Sequence, residues 1–181
     1  MSRISTGTGD RGTTGLADGS RLAKTDPLFE AVGAVDEAND LLGVAAAIAD
    51  PDTRATLQAF QRDLFTLGAD LASPESMRGA MRVTEEAVRR VEATTDRLEA
   101  SLPPLTRFIL PGGTPLAAHL QHARSVVRRA ERLVWGLAAR VKVNPEVLVY
   151  LNRLSDCLFL LARQANRKAG VPEPEWEGKA R

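Results

Sequence analysis

Four apolar-periodic segments in 181 residues begin on a capping side chain followed directly by proline. The pairs are Asp26-Pro27, Asp50-Pro51, Thr114-Pro115 and Asn144-Pro145. Each pair predicts a helix start. The side-chain oxygen accepts a bond from an otherwise orphaned backbone N–H, and proline at the first helical position has no N–H to orphan. A fifth start is predicted at Thr84, where Glu85 and Glu86 favour the helix macrodipole. Alternating β-branched runs are scarce, so strand signals are weak.

The apolar spacing agrees with five helices. In the fourth segment Leu116, Leu120, Ala123, Val127, Ala130, Val134 and Leu137 step by alternating fours and threes. Val147, Leu151, Leu154, Leu158, Leu161 and Ala165 do the same in the fifth. The other three segments carry shorter stripes of the same kind. Such stripes pack near-parallel helices into a left-handed bundle. The fold predicted is all-α: a five-helix bundle with mostly antiparallel helices and an N-terminal Gly/Thr-rich loop. One domain spans residues 1–181, with a loop at 1–25, the bundle at 26–170 and a flexible tail at 171–181.

Composition excludes several classes. Lys and Arg number 24 against 23 Asp and Glu, a net charge of +1, which argues against general nucleic-acid or membrane-surface binding. One cysteine, Cys157, allows no internal disulfide, and one Cys with two His makes a poor zinc site. No apolar run reaches bilayer length. A cytoplasmic location is expected. His119 and His122 have no carboxylate at ligand spacing and read as ordinary side chains.

The N-terminal loop contains Gly7-Thr8-Gly9-Asp10-Arg11-Gly12, which fits G-x-G-x-x-G. A dinucleotide fold needs a strand before that turn and a helix starting on it, and this stretch has neither. A Walker loop needs Lys where Thr13 stands. What survives is a glycine-rich nest of backbone N–H groups with Thr6, Thr8, Thr13 and Thr14 hydroxyls and Lys24 downstream. It reads either as a phosphate-wrapping loop or as a mobile tail.

Helix four carries Arg124, Arg128 and Arg132 at i, i+4 and i+8, with Arg129 and Glu131 beside them. Like charges at that spacing repel. An anion or a set of carboxylates explains the stack better than a plain solvated face. Asn152 and Asp156 flank the seam of helix five and suit either helix register or ligand contact. Asp36, Glu37, Asn39 and Asp40 load acid and amide onto helix one, and one of these carboxylates is a candidate partner for the arginines. Phe108, Ile109 and Leu110, before Pro111-Gly112-Gly113, read as a core anchor or as an apolar wall beside a ligand.

In order along the chain stand TGTGDRGTTGL, Lys24, FEAVGAVDE, FILPGG, ARSVVRRAER and YLNRLSDCLF. Together they resemble the PduO-type ATP:cob(I)alamin (corrinoid) adenosyltransferases over residues 4–168. The resemblance implies transfer of the 5′-deoxyadenosyl group of ATP to the cobalt of reduced cobalamin, with release of triphosphate. A carrier that binds ATP and adenosylcobalamin without turnover is the alternative. It implies a homotrimer with active sites between subunits, an adenosylcobalamin-dependent mutase and a reductase as partners, and magnesium held through the ATP phosphates. ATP would be bound by Thr6, Gly7, Thr8, Gly9, Thr14 and Lys24, and by Arg128, Arg129, Glu131, Arg132 and Asn152. Asp36 would pair with Arg124 across the interface, and Phe108 would lie under the corrin ring. Gly7 and Ser5 depart from the family, which often has Lys and an aromatic there.

Overall fold

The computed structural model describes residue 5 and residues 7–178. Five helices form: α1 (Pro27–Ala47), α2 (Pro51–Leu71), α3 (Glu85–Ser101), α4 (Pro115–Ala138) and α5 (Pro145–Lys168). All five starts lie where the caps predict them. Asp26 accepts from Leu28 N–H, Asp50 from Asp52 and Thr53, Thr84 from Ala87, Thr114 from Ala117 and Asn144 from Glu146. α5 ends with Arg167 and Lys168 in its last turn and Gly170 at φ 65°.

α4 packs between α1 and α5, α2 covers α1, and α3 covers α5. The Asp63–Arg90 ion pair at 2.8 Å joins α2 to α3 and closes the ring. Side-chain bonds give the directions. Glu131 meets Asn152 while Thr114 meets Asn166, so α4 and α5 are antiparallel. Glu92 meets Arg153 while Pro103, just past α3, meets Arg163, so α3 and α5 run parallel.

The seams are built from small residues on one side and leucines on the other. Ala31 and Ala38 of α1 and Ala117, Ala123 and Ala130 of α4 are fully buried, which lets backbones approach closely. Leu151, Leu154 and Leu158 of α5 fill the space opposite, each contributing about 1.5–3 kcal/mol by leaving water. The stripes read from the sequence are therefore the core.

Two polar clamps fix what the stripes leave open. Asp70, 3% exposed, accepts from Arg82 Nη1 at 2.6 Å, Asn144 Nδ2 at 2.7 Å and Val83 N–H at 2.8 Å. It ties the end of α2 to the following linker and to the cap of α5. Asn166, 5% exposed, donates from Nδ2 to Gly112 O at 3.0 Å and accepts at Oδ1 from Thr114 N–H at 2.9 Å. It pins the turn entering α4. Gly113 has φ 101°, and a Cβ there would stand 2.2 Å from Asn166 Oδ1, so only glycine fits.

Two terminal features differ from the sequence reading. Residues 13–23 are not wholly irregular: β1 (Thr13–Gly15) and β2 (Arg21–Ala23) pair antiparallel, with Leu16 and Leu22 packed on the core. The tail was expected to be flexible, yet its described part is bonded to the segment before α4. Leu110 N–H donates to Pro174 O and Trp176 N–H to Phe108 O, both at 2.8 Å. These bonds run between backbones, and no side-chain pattern announces them.

Asp70→Ala strands a guanidinium, an amide and a backbone N–H, and is expected to cost about 3 kcal/mol in urea unfolding. A loss below about 1 kcal/mol would contradict the clamp. Gly113→Ala is expected to cost about 1–3 kcal/mol through overpacking and positive-φ strain, whereas Gly79→Ala, with φ 74° but no atom within 4 Å of its Cβ, meets the strain alone and costs less. Equal losses would show that Asn166 does not crowd the turn.

Candidate active site

The antiparallel register of α4 and α5 lays two stripes side by side. Gln121, Arg124, Arg128 and Glu131 rise along α4, and Arg163, Phe159, Asp156 and Asn152 run against them along α5. Arg124 stacks on Phe159, its guanidinium carbon 5.4 Å from the ring centroid. Higher up, Asn152 Nδ2 donates to Glu131 Oε1 at 3.1 Å. Arg153 Nη1 donates to Asn152 Oδ1 at 2.9 Å and its Nε to Glu92 Oε1 at 3.1 Å. A chain of polar contacts thus fixes which way the Asn152 amide faces.

Below this chain lies an open cleft of about 1010 Å³. Leu102, Phe108, Ile109, Phe159 and Leu160 give it apolar walls, and Arg124, Asp156 and Arg163 stand among them. Such a volume admits a large ligand, and its apolar walls suit a broad flat one. Phe108 lines the cleft yet is 78% exposed. The core-anchor reading of Phe108 therefore fails, and an apolar wall remains. Leu110 is likewise exposed.

The arginines divide by direction. Arg129 turns toward α1 and pairs with Glu37, so a helix-one carboxylate does meet one of the four. Among the described residues neither Arg128 nor Arg132 forms a salt bridge, although Arg132 Nη1 donates to Arg128 O at 3.1 Å. Both lie exposed one or two turns from the cleft. Burial, and then the positive charge of Arg128, lower the pKa of Arg124, while Asp156 opposes the shift. On α1, partial burial and then neighbouring Asp40 raise the pKa of Asp36. Asn39 is buried, and its Oδ1 has no hydrogen-bond partner among the described residues.

The N-terminal loop gathers a second set. Lys24 folds back over Gly9, where a Cβ would stand 3.1 Å from its Nζ, and Lys24 N–H donates to Gly12 O at 2.9 Å. Gly7 and Gly12 take positive φ of 67° and 79°. Thr14 pairs with Leu22 in the hairpin. Thr6 lies outside the described residues. Arg21 was missed by sequence reading: its Nη2 donates to Thr8 O at 2.7 Å and to Thr13 Oγ1 at 3.0 Å, bracing the loop. Arg21 stands opposite Gly15 in the hairpin and its side chain reaches back to Thr13, a cross-strand placement that no local sequence pattern announces.

Cys157 is buried, and burial pushes its thiol up to about 12, so it is a neutral core side chain near pH 7. Among the described residues no helix is long and apolar enough to cross a membrane.

Known proteins are similar to this chain in sequence and in fold. Residues 4–165 match the family model for cobalamin adenosyltransferase. A corrinoid adenosyltransferase of Mycobacterium leprae is 48% identical over 92% of both chains. The corrinoid adenosyltransferase PduO of Salmonella typhimurium is 43% identical over 92% of this chain and 50% of its own length. One solved structure is a phenylalanine-to-alanine variant of a PduO-type ATP:corrinoid adenosyltransferase from Lactobacillus reuteri, complexed with cobalamin and ATP. It superposes with a TM-score of 0.92 at 35% identity, covering 97% of this chain and 100% of the other. By sequence and by fold, the chain belongs to the cobalamin adenosyltransferase family.

Proposed function

We propose that this protein transfers the 5′-deoxyadenosyl group of ATP to the cobalt of reduced cobalamin and releases triphosphate. One juxtaposition carries the reading. Two guanidiniums with no ion pair among the described residues, Arg128 and Arg132, stand one and two turns along α4 from an apolar cleft lined by Phe108. The first suits a polyanion, and the second suits a large flat ligand.

The chemistry asks little acid–base work of the protein. Cobalt(I) is a strong nucleophile and attacks the ribose C5′ in line. The Co–C bond forms as the C5′–O bond breaks, and the electron pair departs on the triphosphate. The protein supplies position and anion stabilisation. Arg128 and Arg132 meet the developing charge. Glu131 and Asn152, already bonded to each other, complete the nucleotide site. Thr6, Gly7, Thr8, Gly9, Thr14 and Lys24 wrap the phosphates with backbone N–H groups, hydroxyls and one ammonium. Arg129 joins them only by leaving Glu37. Among the described residues no three His, Cys, Asp or Glu side chains converge on a point. Magnesium would enter with the ATP phosphates, and no step is assigned to it.

Phe108 fills the space below the corrin without offering a ligand atom. A cobalt(II) stripped of its lower axial ligand accepts an electron at lower energy, so this side chain eases the reduction that precedes transfer. Arg21 bonds Thr8 and Thr13 within the loop, while Arg128 and Arg132 stand exposed along α4 with no ion pair among the described residues. An arginine face left open in one subunit supports a homotrimer in which a neighbour's loop completes the site, with Asp36 pairing Arg124 across the boundary. The cytoplasm is the proposed location, a reductase the electron source, and an adenosylcobalamin-dependent mutase the recipient.

Incubation with ATP and chemically reduced cobalamin is expected to produce the absorbance of a cobalt–carbon bond. Both ligands bound without product would favour the carrier reading. Arg128→Ala is expected to lower kcat by about 100-fold or more with the urea midpoint unchanged, and full activity would remove its role. Phe108→Ala is expected to bind cobalamin but adenosylate it about tenfold or more slowly. A wild-type rate would overturn the axial-ligand argument.

A further inference from the structure

The tail is bound to the segment that carries Phe108. Ile109 and Glu175 form an isolated antiparallel bridge, flanked by the two 2.8 Å backbone bonds, Trp176 N–H to Phe108 O and Leu110 N–H to Pro174 O. Three residues of tail thus act as a short extra strand along residues 108–110. Side chains reinforce it at both ends. Arg107 pairs with Glu175 at 3.6 Å. Arg163 of α5, 5% exposed, reaches Glu173 with Nε at 3.1 Å and Pro103 O with Nη2 at 3.0 Å. One buried guanidinium therefore ties the helix, the start of the 103–113 segment and the tail together.

These bonds explain how Phe108 keeps its place. Phe108 is 78% exposed, so packing does not hold it. Its segment has no helix of its own and leaves α3 through Pro103 and Pro104. At the α4 end Asn166 clamps Gly112 and Thr114. Between those anchors, the described backbone bonds of Phe108 and Leu110 go to the tail.

We infer that the segment Glu173 to Trp176 is a positioning strap that sets Phe108 at the cleft, acting through backbone bonds to residues 108 and 110. The inference rests on the role given to Phe108 above. The strap touches no reacting atom. It fixes the height and direction of the wall on which the corrin rests, and a shift of about 1 Å in such a wall can cost as much as about 100-fold in rate.

Trp176→Pro removes the N–H that bonds Phe108 O, together with the indole, while the extended backbone of Glu175 suits a following proline. Trp176→Ala keeps that N–H and serves as the conservative partner. Three readouts separate the possibilities in the full-length chain. Amide exchange at Leu110, read without any substrate, is expected to be slow in wild type and in Trp176→Ala and at least about tenfold faster in Trp176→Pro. Equal exchange in all three overturns the strap whatever the enzyme does. With ATP and cob(II)alamin, the absorption signature of cobalt lacking its lower ligand is expected to weaken in Trp176→Pro and to persist in Trp176→Ala. Turnover is expected to fall between about fivefold and about 100-fold in kcat for Trp176→Pro, with KM for ATP and the urea midpoint unchanged. A raised KM for ATP or a wild-type kcat contradicts the inference. Wild-type turnover and the Phe108→Ala rate are measured alongside. Failure there strikes the functional reading, whereas failure of Trp176→Pro alone strikes the strap.

Discussion

The register of α4 against α5 is the constraint on which the candidate site depends. Arg124 lies over Phe159, and Glu131 meets Asn152 two turns away. Those two contacts are far enough apart to define a single sliding position of one helix along the other. Slip by a turn, about 5.4 Å, would change the height of Arg128 relative to α5 and break both pairings. The register is held by the alanine and leucine seam beneath, and by Asn166 at the far end. Packing that any bundle needs is thereby turned into the spacing between the proposed anion site and an apolar wall.

The same arrangement accounts for a charge pattern that a helix would otherwise avoid. Arg124, Arg128 and Arg132 repel one another along α4. Arg124 is compensated by the Phe159 face and by Asp156. Arg129 is drawn off to Glu37. Arg128 and Arg132 keep their repulsion, and a polyanion would relieve it. The ligand proposed for them is thus the group that makes the arrangement least costly.

What was legible in the sequence follows from how local each determinant is. Caps act within a few residues, so Asp26, Asp50, Thr84, Thr114 and Asn144 mark the helix starts correctly. Stripes at 3–4 spacing report burial, so Leu120, Val127, Leu151 and Leu158 are recognisable as core. Arg21, Asn166 and Arg163 are different. Each bonds a backbone oxygen or a turn distant in sequence, and nothing in its neighbours says so. A polar tail reads as flexible, yet backbone bonds to Phe108 and Leu110 need no apolar side chain. Direction around a helix is also hidden: Arg129 pairs with Glu37 of α1, while its sequence neighbour Arg128 lies exposed. The motifs that carry family resemblance remained readable, since glycines, arginines and the FILPGG segment keep their order whatever the packing.

The account makes ATP's triphosphate the leaving group and the arginine face its stabiliser. The most direct measurement is therefore the phosphate product of turnover with ATP and reduced cobalamin, counted against cobalt–carbon bonds formed. The account predicts intact triphosphate in equal number to the new bonds. Diphosphate or AMP accumulating without a cobalt–carbon bond would contradict it.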